Sequence, residues 1–203
     1  MVGAFVQGVQ VENGLYAGGW FDWLTPFTLL TGISLVAGYA LLGACWLVIK
    51  TEGPLQERMR RLQIPLGAVV VAMIGLVSFG TVLENAMVRE RWFAMGSFVF
   101  IWVIPLVTLV IAVAFFTAVR ARKEFVPFLL ALCLFVMSFA GLTSSLYPYL
   151  IPPGISYTEA ANADVSLAFM LVGAVVLLPV ILGYTAYVYW LFRGKVRAGE
   201  GYH

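Results

Sequence analysis

The sequence predicts an all-α, polytopic membrane helix bundle: one transmembrane domain over residues 1–203, five spanning helices, a periplasmic N-terminus and a cytoplasmic C-terminus. Three observations predict it. The chain is 62% hydrophobic and 11% charged, against about 45–50% and about 25% in soluble domains, so lipid must be its outer solvent. Five segments, 24–49, 64–83, 92–119, 125–147 and 165–192, reach the roughly 20 apolar residues needed to cross hydrocarbon at about 1.5 Å per residue. None contains Asp, Glu, Lys, Arg or His. Finally, ten of the 12 Lys and Arg follow the odd-numbered spans: Lys50, Arg58, Arg60 and Arg61; Arg120, Arg122 and Lys123; Arg193, Lys195 and Arg197. The positive-inside rule puts those three regions in the cytoplasm.

The opening MVGAFVQGVQVENG has no basic stretch and no sustained apolar run before a small-residue cleavage site, so it does not read as a signal peptide. Trp20, Phe21 and Trp23 form an aromatic group at the outer interface just ahead of span one. Thr25 before Pro26 reads as an N-cap with proline at the first helical position, where its missing N–H costs nothing. QERMRR, residues 56–61, reads as an orientation signal between spans one and two. YPYLIPPG, residues 147–154, ends span four with three prolines and a glycine and begins a connection to about Asp164, with Asn162 or Asp164 as candidate cap of span five. Span five ends in Tyr184, Tyr187, Tyr189 and Trp190 and then turns basic at Arg193 and Lys195. Amphipathic rings at the headgroup level followed by cations make a cytoplasmic anchor.

Small residues recur four apart at Ser34 and Gly38, Ala40 and Ala44, Ala140 and Ser144, and Gly141 and Ser145. Such pairs let helix backbones approach closely in lipid. Cys45 and Cys133 both lie in apolar runs and read as small core hydrophobes, not as a disulfide. There is no internal repeat and no low-complexity segment.

The residues assign no catalytic, cofactor-binding or metal-binding site. Haem iron needs an axial His, Met, Cys or Tyr; the one histidine is the terminal His203, and Met73, Met95, Met137 and Met170 read as flexible core side chains. The expectation is therefore that this chain binds no haem iron and no other cofactor. Spans without ionisable residues argue against a free-standing proton pump. Thr143, Ser144 and Ser145 are read as bonding back to their own helix carbonyls. Glu84, Arg89, Glu90, Arg91, Glu159 and Asp164 are read as solvated loop charges. No nucleotide-binding loop, metal-binding histidine pair or nucleophile triad is present, and the net charge of +2 gives no reason to expect a nucleic-acid partner.

WLTPFTLLTG (23–32), GYALLGACWLVIKTEGPLQERMRR (38–61), SSLYPYLIPP (144–153), YTEAA (157–161) and LLPVILGYTAYVYWLFRGKV (177–196) together resemble subunit II of the cytochrome bd-type quinol oxidases, including the cyanide-insensitive branch. The most specific parts are the LxxKTEG element, Leu47 to Gly53, and the ending from Pro179 to Trp190. The resemblance is to the C-terminal half of that subunit. GAFVQG, residues 3–8, is similar to the outer end of the last helix of a preceding set. It implies a part in a bacterial inner-membrane terminal oxidase that oxidises quinol and reduces dioxygen to water. Haem b, haem d and the quinol site would then lie in a partner subunit I. The acidic residues credited with proton delivery, and a structural quinone, would lie in the N-terminal portion of subunit II. This chain would act as scaffold against subunit I, that N-terminal portion and membrane lipid. Two alternatives stand beside it: a stand-alone permease or channel for an uncharged solute, lined by hydroxyls such as Thr143 and Ser144, and a nonfunctional remnant of an oxidase gene.

Overall fold

The computed structural model describes residues 2–8, 11–12, 15–93, 98–152 and 155–195. In chain order it forms α1 (Val2–Gln7), β1 (Val11–Glu12), β2 (Leu15–Tyr16), α2 (Pro26–Lys50), α3 (Gly53–Glu84), α4 (Ala86–Phe93), α5 (Phe98–Arg120), α6 (Val126–Leu146), β3 (Tyr149–Ile151), β4 (Ile155–Ser156) and α7 (Asp164–Leu191). Helices α2, α3, α5, α6 and α7 are long and apolar enough to cross a membrane, which bears out the five expected spans. The strands form two small antiparallel hairpins, β1 with β2 and β3 with β4.

Two boundaries differ from the sequence reading. The second span begins at Gly53, because QERMRR continues the helix instead of forming a loop. At 32 residues α3 is about 48 Å long, well beyond the roughly 30 Å hydrocarbon layer, so its first turns stand clear of the apolar zone. The third span begins at Phe98, not at Trp92, which belongs to the separate α4. Asn85 divides α3 from α4: its Oδ1 accepts from the backbone N–H groups of Met87 and Val88, capping α4 where α3 ends.

The expected cap of α2 is present and stronger than read, since Thr25 and Thr28 each accept from the other's backbone N–H in a reciprocal capping box. Neither Asn162 nor Asp164 caps α7; Ala163 holds the cap position without a side-chain bond, and Asp164 lies in the first turn, where its charge favours the helix dipole. Between α2 and α3 the chain reverses in two residues. Thr51 bonds back to the Leu47 carbonyl and Gly53 takes φ +71°, a left-handed conformation that disfavours a Cβ. This is the physical content of the LxxKTEG element. Gly53→Val is expected to cost about 1–3 kcal/mol, read as an earlier thermal melt.

Helices α2, α3, α5 and α6 enclose a core of Leu41, Cys45, Val70, Phe115, Val119 and Ala131. A second cluster of Val6, Phe27, Val88 and Leu146 ties α1 and α4 to the opposite end. Close approach depends on glycine. A Cβ on Gly67 would come within 2.5 Å of the Phe115 ring, and one on Gly38 equally close to Phe135. Of the small-residue pairs, Gly38, Ala44 and Ser145 are buried, whereas Ala40 faces outward. Cys45 is buried as expected, but Cys133 is exposed, which corrects its reading as a core residue: it lies on the outer face of α6. Helix α7 differs from the others in having no buried residue at all.

Candidate functional site: the polar cluster at the basic end

The end where α2 and α7 finish, α3 begins and α5 turns into α6 gathers nine of the described lysines and arginines. Helix α5 stops in a Schellman motif, with Lys123 N–H donating to the Ala118 carbonyl and Arg122 N–H to that of Val119. Arg122 thereby takes φ 54°, and its carbonyl turns toward α3, where Arg60 Nη1 donates to it at 2.8 Å. The next acidic residue, Glu124, becomes the hub. Its carboxylate accepts from Lys195 Nζ at 2.8 Å and Gln56 Nε2 at 3.1 Å, and lies 3.6 Å from Arg60 Nη2. Gln56 also donates to the Val48 carbonyl at the end of α2. The hydrogen bond from Lys195 leads the causes that hold Glu124 below the usual carboxylate range. Beside it Glu57 pairs with Arg61 at 3.7 Å and Arg122 at 3.3 Å. One network therefore fastens all four bundle helices and the segment after α7.

One turn deeper, Gln63 is fully buried and neither amide atom has a hydrogen-bond partner among the described residues. Its polar neighbour is the thiol of Cys45, a weak hydrogen bonder. An unsatisfied buried amide costs about 1–3 kcal/mol, whereas an apolar group of the same shape does not. Gln63→Met is accordingly expected to leave the melting temperature unchanged or raise it. A fall would show that the amide acquires a partner in the assembled protein.

At the other end, Gln7 donates to Glu84 at 3.2 Å and accepts from Thr25 Oγ1 at 2.8 Å, anchoring α1 on α2 and α3. Trp92 Nε1 donates to Ser145 Oγ, which itself donates to the Gly141 carbonyl; Ser144 likewise bonds back to Gly141. The serines thus make the helix-internal bonds expected of them. Glu84 is not merely solvated, and neither is Glu159. The latter accepts from the backbone and hydroxyl of Ser156, bonds that lower its pKa. His203, Met95 and Arg197 lie outside the described residues.

Sequence reasoning missed Glu124 as a hub. Its signal was a single carboxylate directly after Arg120, Arg122 and Lys123. The placement of Gln56, Glu57 and Arg60 on one helix face, spaced i, i+1, i+4, was hidden by reading their segment as a loop. Among the described residues no group of three or more His, Cys, Asp and Glu is arranged to hold a metal ion.

Similarity to known proteins agrees with this architecture. The chain is 28% identical over 236 aligned positions to cytochrome bd-I ubiquinol oxidase subunit 2 of Escherichia coli K12, covering 96% of this chain and 60% of that protein. It is 26% identical to the probable cytochrome oxidase subunit 2 of Haemophilus influenzae, with coverage of 97% and 61%. To cytochrome bd ubiquinol oxidase subunit 2 of Bacillus subtilis it is 25% identical, with coverage of 88% and 53%. The chain therefore spans 53% to 61% of the length of these curated relatives. Five apolar helices and bacterial relatives make it a multi-pass protein of the bacterial inner membrane. With residues 1–192 matched to the profile of cytochrome bd terminal oxidase subunit II, the chain belongs to that family.

Proposed function

We propose that this chain is the scaffolding part of subunit II in a cytochrome bd-type quinol oxidase, a complex that oxidises quinol and reduces dioxygen to water. The match over residues 1–192 carries the reading. Packing supports the division of labour. Helix α7 is 28 residues long, strongly apolar and without one buried residue, so its surface is available to other helices of the assembly. Those helices belong to the haem-bearing subunit I and to the rest of subunit II. The basic end, by its excess of lysine and arginine, faces the cytoplasm, with the N-terminus periplasmic. Residues 1–203 act as one domain, with no catalytic residue of its own.

The family implies haem in the complex, and among the described residues the candidate donors do not gather into a haem pocket. No described residue is a histidine. Met73, Met137 and Met170 stand on three separate helices, α3, α6 and α7. The depression beside Met170 is open and lined by α7 alone, through Leu167, Ala168, Leu171 and Ala174. Haems b and d are accordingly assigned to subunit I, with the quinol site.

Family membership does not favour the permease alternative. Affinity purification from membranes decides the matter. A haem-containing subunit is expected to accompany the chain, with b-type and d-type absorption present in the complex and absent from the separated chain. A stable, colourless oligomer without a haem-bearing partner would overturn the assignment.

A further inference from the structure

Three of the long helices carry an internal proline: Pro65 in α3, Pro105 in α5 and Pro179 in α7. Proline has no N–H, so the carbonyl four residues earlier loses its α-helical donor. For Pro65 that carbonyl belongs to Arg61, at the exposed basic end. For Pro105 it belongs to Ile101, in the first turn of α5. For Pro179 it belongs to Val175, which lies 11 residues from the start of α7 and 16 from its end. Those separations are about 17 and 24 Å along the axis, so in a hydrocarbon layer of about 30 Å the Val175 carbonyl stands near the middle.

The rest of the chain does not cover this place. Helix α7 has no buried residue. Val175 and Leu182, seven residues apart on one face, are exposed by 63% and 66%, and a Cβ on Gly183 would meet nothing within 4 Å. The nearest hydroxyls of α7, on Ser166 and Tyr184, stand nine residues to either side, about 13 Å along the axis. Within hydrocarbon, the groups freed by a proline are satisfied by neighbouring helices, hydroxyl side chains or enclosed water, because lipid tails donate nothing.

We infer that the Pro179 face of α7, from Val175 to Gly183, seats a spanning helix from outside residues 1–203, and that this helix brings a side-chain hydroxyl or amide to the Val175 carbonyl. The missing donor selects the occupant. An acyl chain carries none. A second copy packed α7 to α7 in the same orientation holds its hydroxyls at the same two depths, again about 13 Å from the gap. Gly183, one turn beyond Pro179, allows the close backbone approach on which helix pairing in lipid depends. The inference rests on the reading of this chain as part of an assembly, and it names the face of α7 that the assembly uses.

The test uses the full chain in the complex in its own membrane. A photoreactive phenylalanine analogue in place of Leu182 is crosslinked there, and the product is mapped by mass spectrometry. The expected product is a peptide from outside residues 1–203 with Ser, Thr, Tyr, Asn or Gln about two turns from the attachment point. A crosslink to lipid alone, to a second copy, or to a peptide with no such residue overturns the inference. Pro179→Ala returns an N–H to Val175 and should lower the partner retained after detergent washing at least threefold, although alanine suits a helix better than proline. Gly183→Leu should lower it at least fivefold. Gly173→Leu should not: it too has open space at its Cβ, but it lies about 120° around the helix from Pro179. Unchanged retention in Pro179→Ala, or equal loss in the two leucine variants, overturns the inference. The crosslink leaves Pro179 intact and decides the matter if that variant does not insert. A native preparation without haem would overturn the oxidase reading, whereas the crosslink reports on α7 with or without colour.

Discussion

Replacing Gly67 with leucine is expected to yield a chain that still inserts but cannot close its core. The first added carbon would lie 2.5 Å from Phe115 Cε1 and 3.3 Å from Phe116 Cε1. Phe115 cannot swing aside, because it is fully buried among Leu41, Cys45, Val70, Val119 and Ala131. In lipid, helices associate through close packing without a hydrophobic drive between them, so separation of α3 from α5 is not offset elsewhere. Overpacking by single methylenes costs about 1–3 kcal/mol, and a whole leucine side chain belongs at or beyond the upper end of that range. Gly75→Leu is the matched control on the same helix, with nothing within 4 Å of its Cβ. Thermal unfolding should separate the two widely. Adding Phe115→Ala should restore part of the loss in Gly67→Leu, which a double-mutant cycle measures directly. Coincident melts of the two leucine variants would contradict the α3 to α5 contact.

Reversing the charge at Glu124 is expected to release the end of α7. Lys195 and Arg60 would then face a third cation at distances of 2.8 and 3.6 Å, and Gln56 would lose its acceptor. Exposed pairs contribute about 0.2–1 kcal/mol each, so the two together supply on the order of 1 kcal/mol, and reversal adds repulsion to that loss. Helix α7 has few other contacts, so even this sum governs whether its end stays docked. Hydrogen exchange over residues 188–195 should accelerate severalfold in Glu124→Lys and less in Glu124→Gln. Acidity should act in the same direction. The Glu124 carboxyl is held below its ordinary value of 4.5, so its stabilisation is complete above that pH and is lost as pH falls through the lowered value. The acid-induced acceleration should disappear in Glu124→Gln.

Most of the fold was legible because lipid imposes a simple rule: a span must be apolar for about 20 residues, and charges must wait for its ends. That rule located five helices, and the Thr25–Pro26 pair marked the cap of the first. It was blind to Asn85, since a capping asparagine between two helical stretches leaves no mark on hydropathy. It also misplaced Cys133: in a helix apolar all round, composition does not say which face meets another helix. The basic cluster was legible as an orientation signal through Lys50, Arg60 and Arg122. Its organisation around Glu124 was not, because it depends on a left-handed Arg122 and on helices brought together over 60 to 70 residues of sequence.

Helix α7 has no buried residue, and its footing on α2 is at its far end, where Tyr189 meets Trp46 and Lys50 donates to the Phe192 carbonyl. In the proposed assembly its lateral contacts are completed by other helices. Copies made in excess of those companions would then carry a bare lipid-facing rod. Such copies are the substrates that membrane quality control is suited to find and remove.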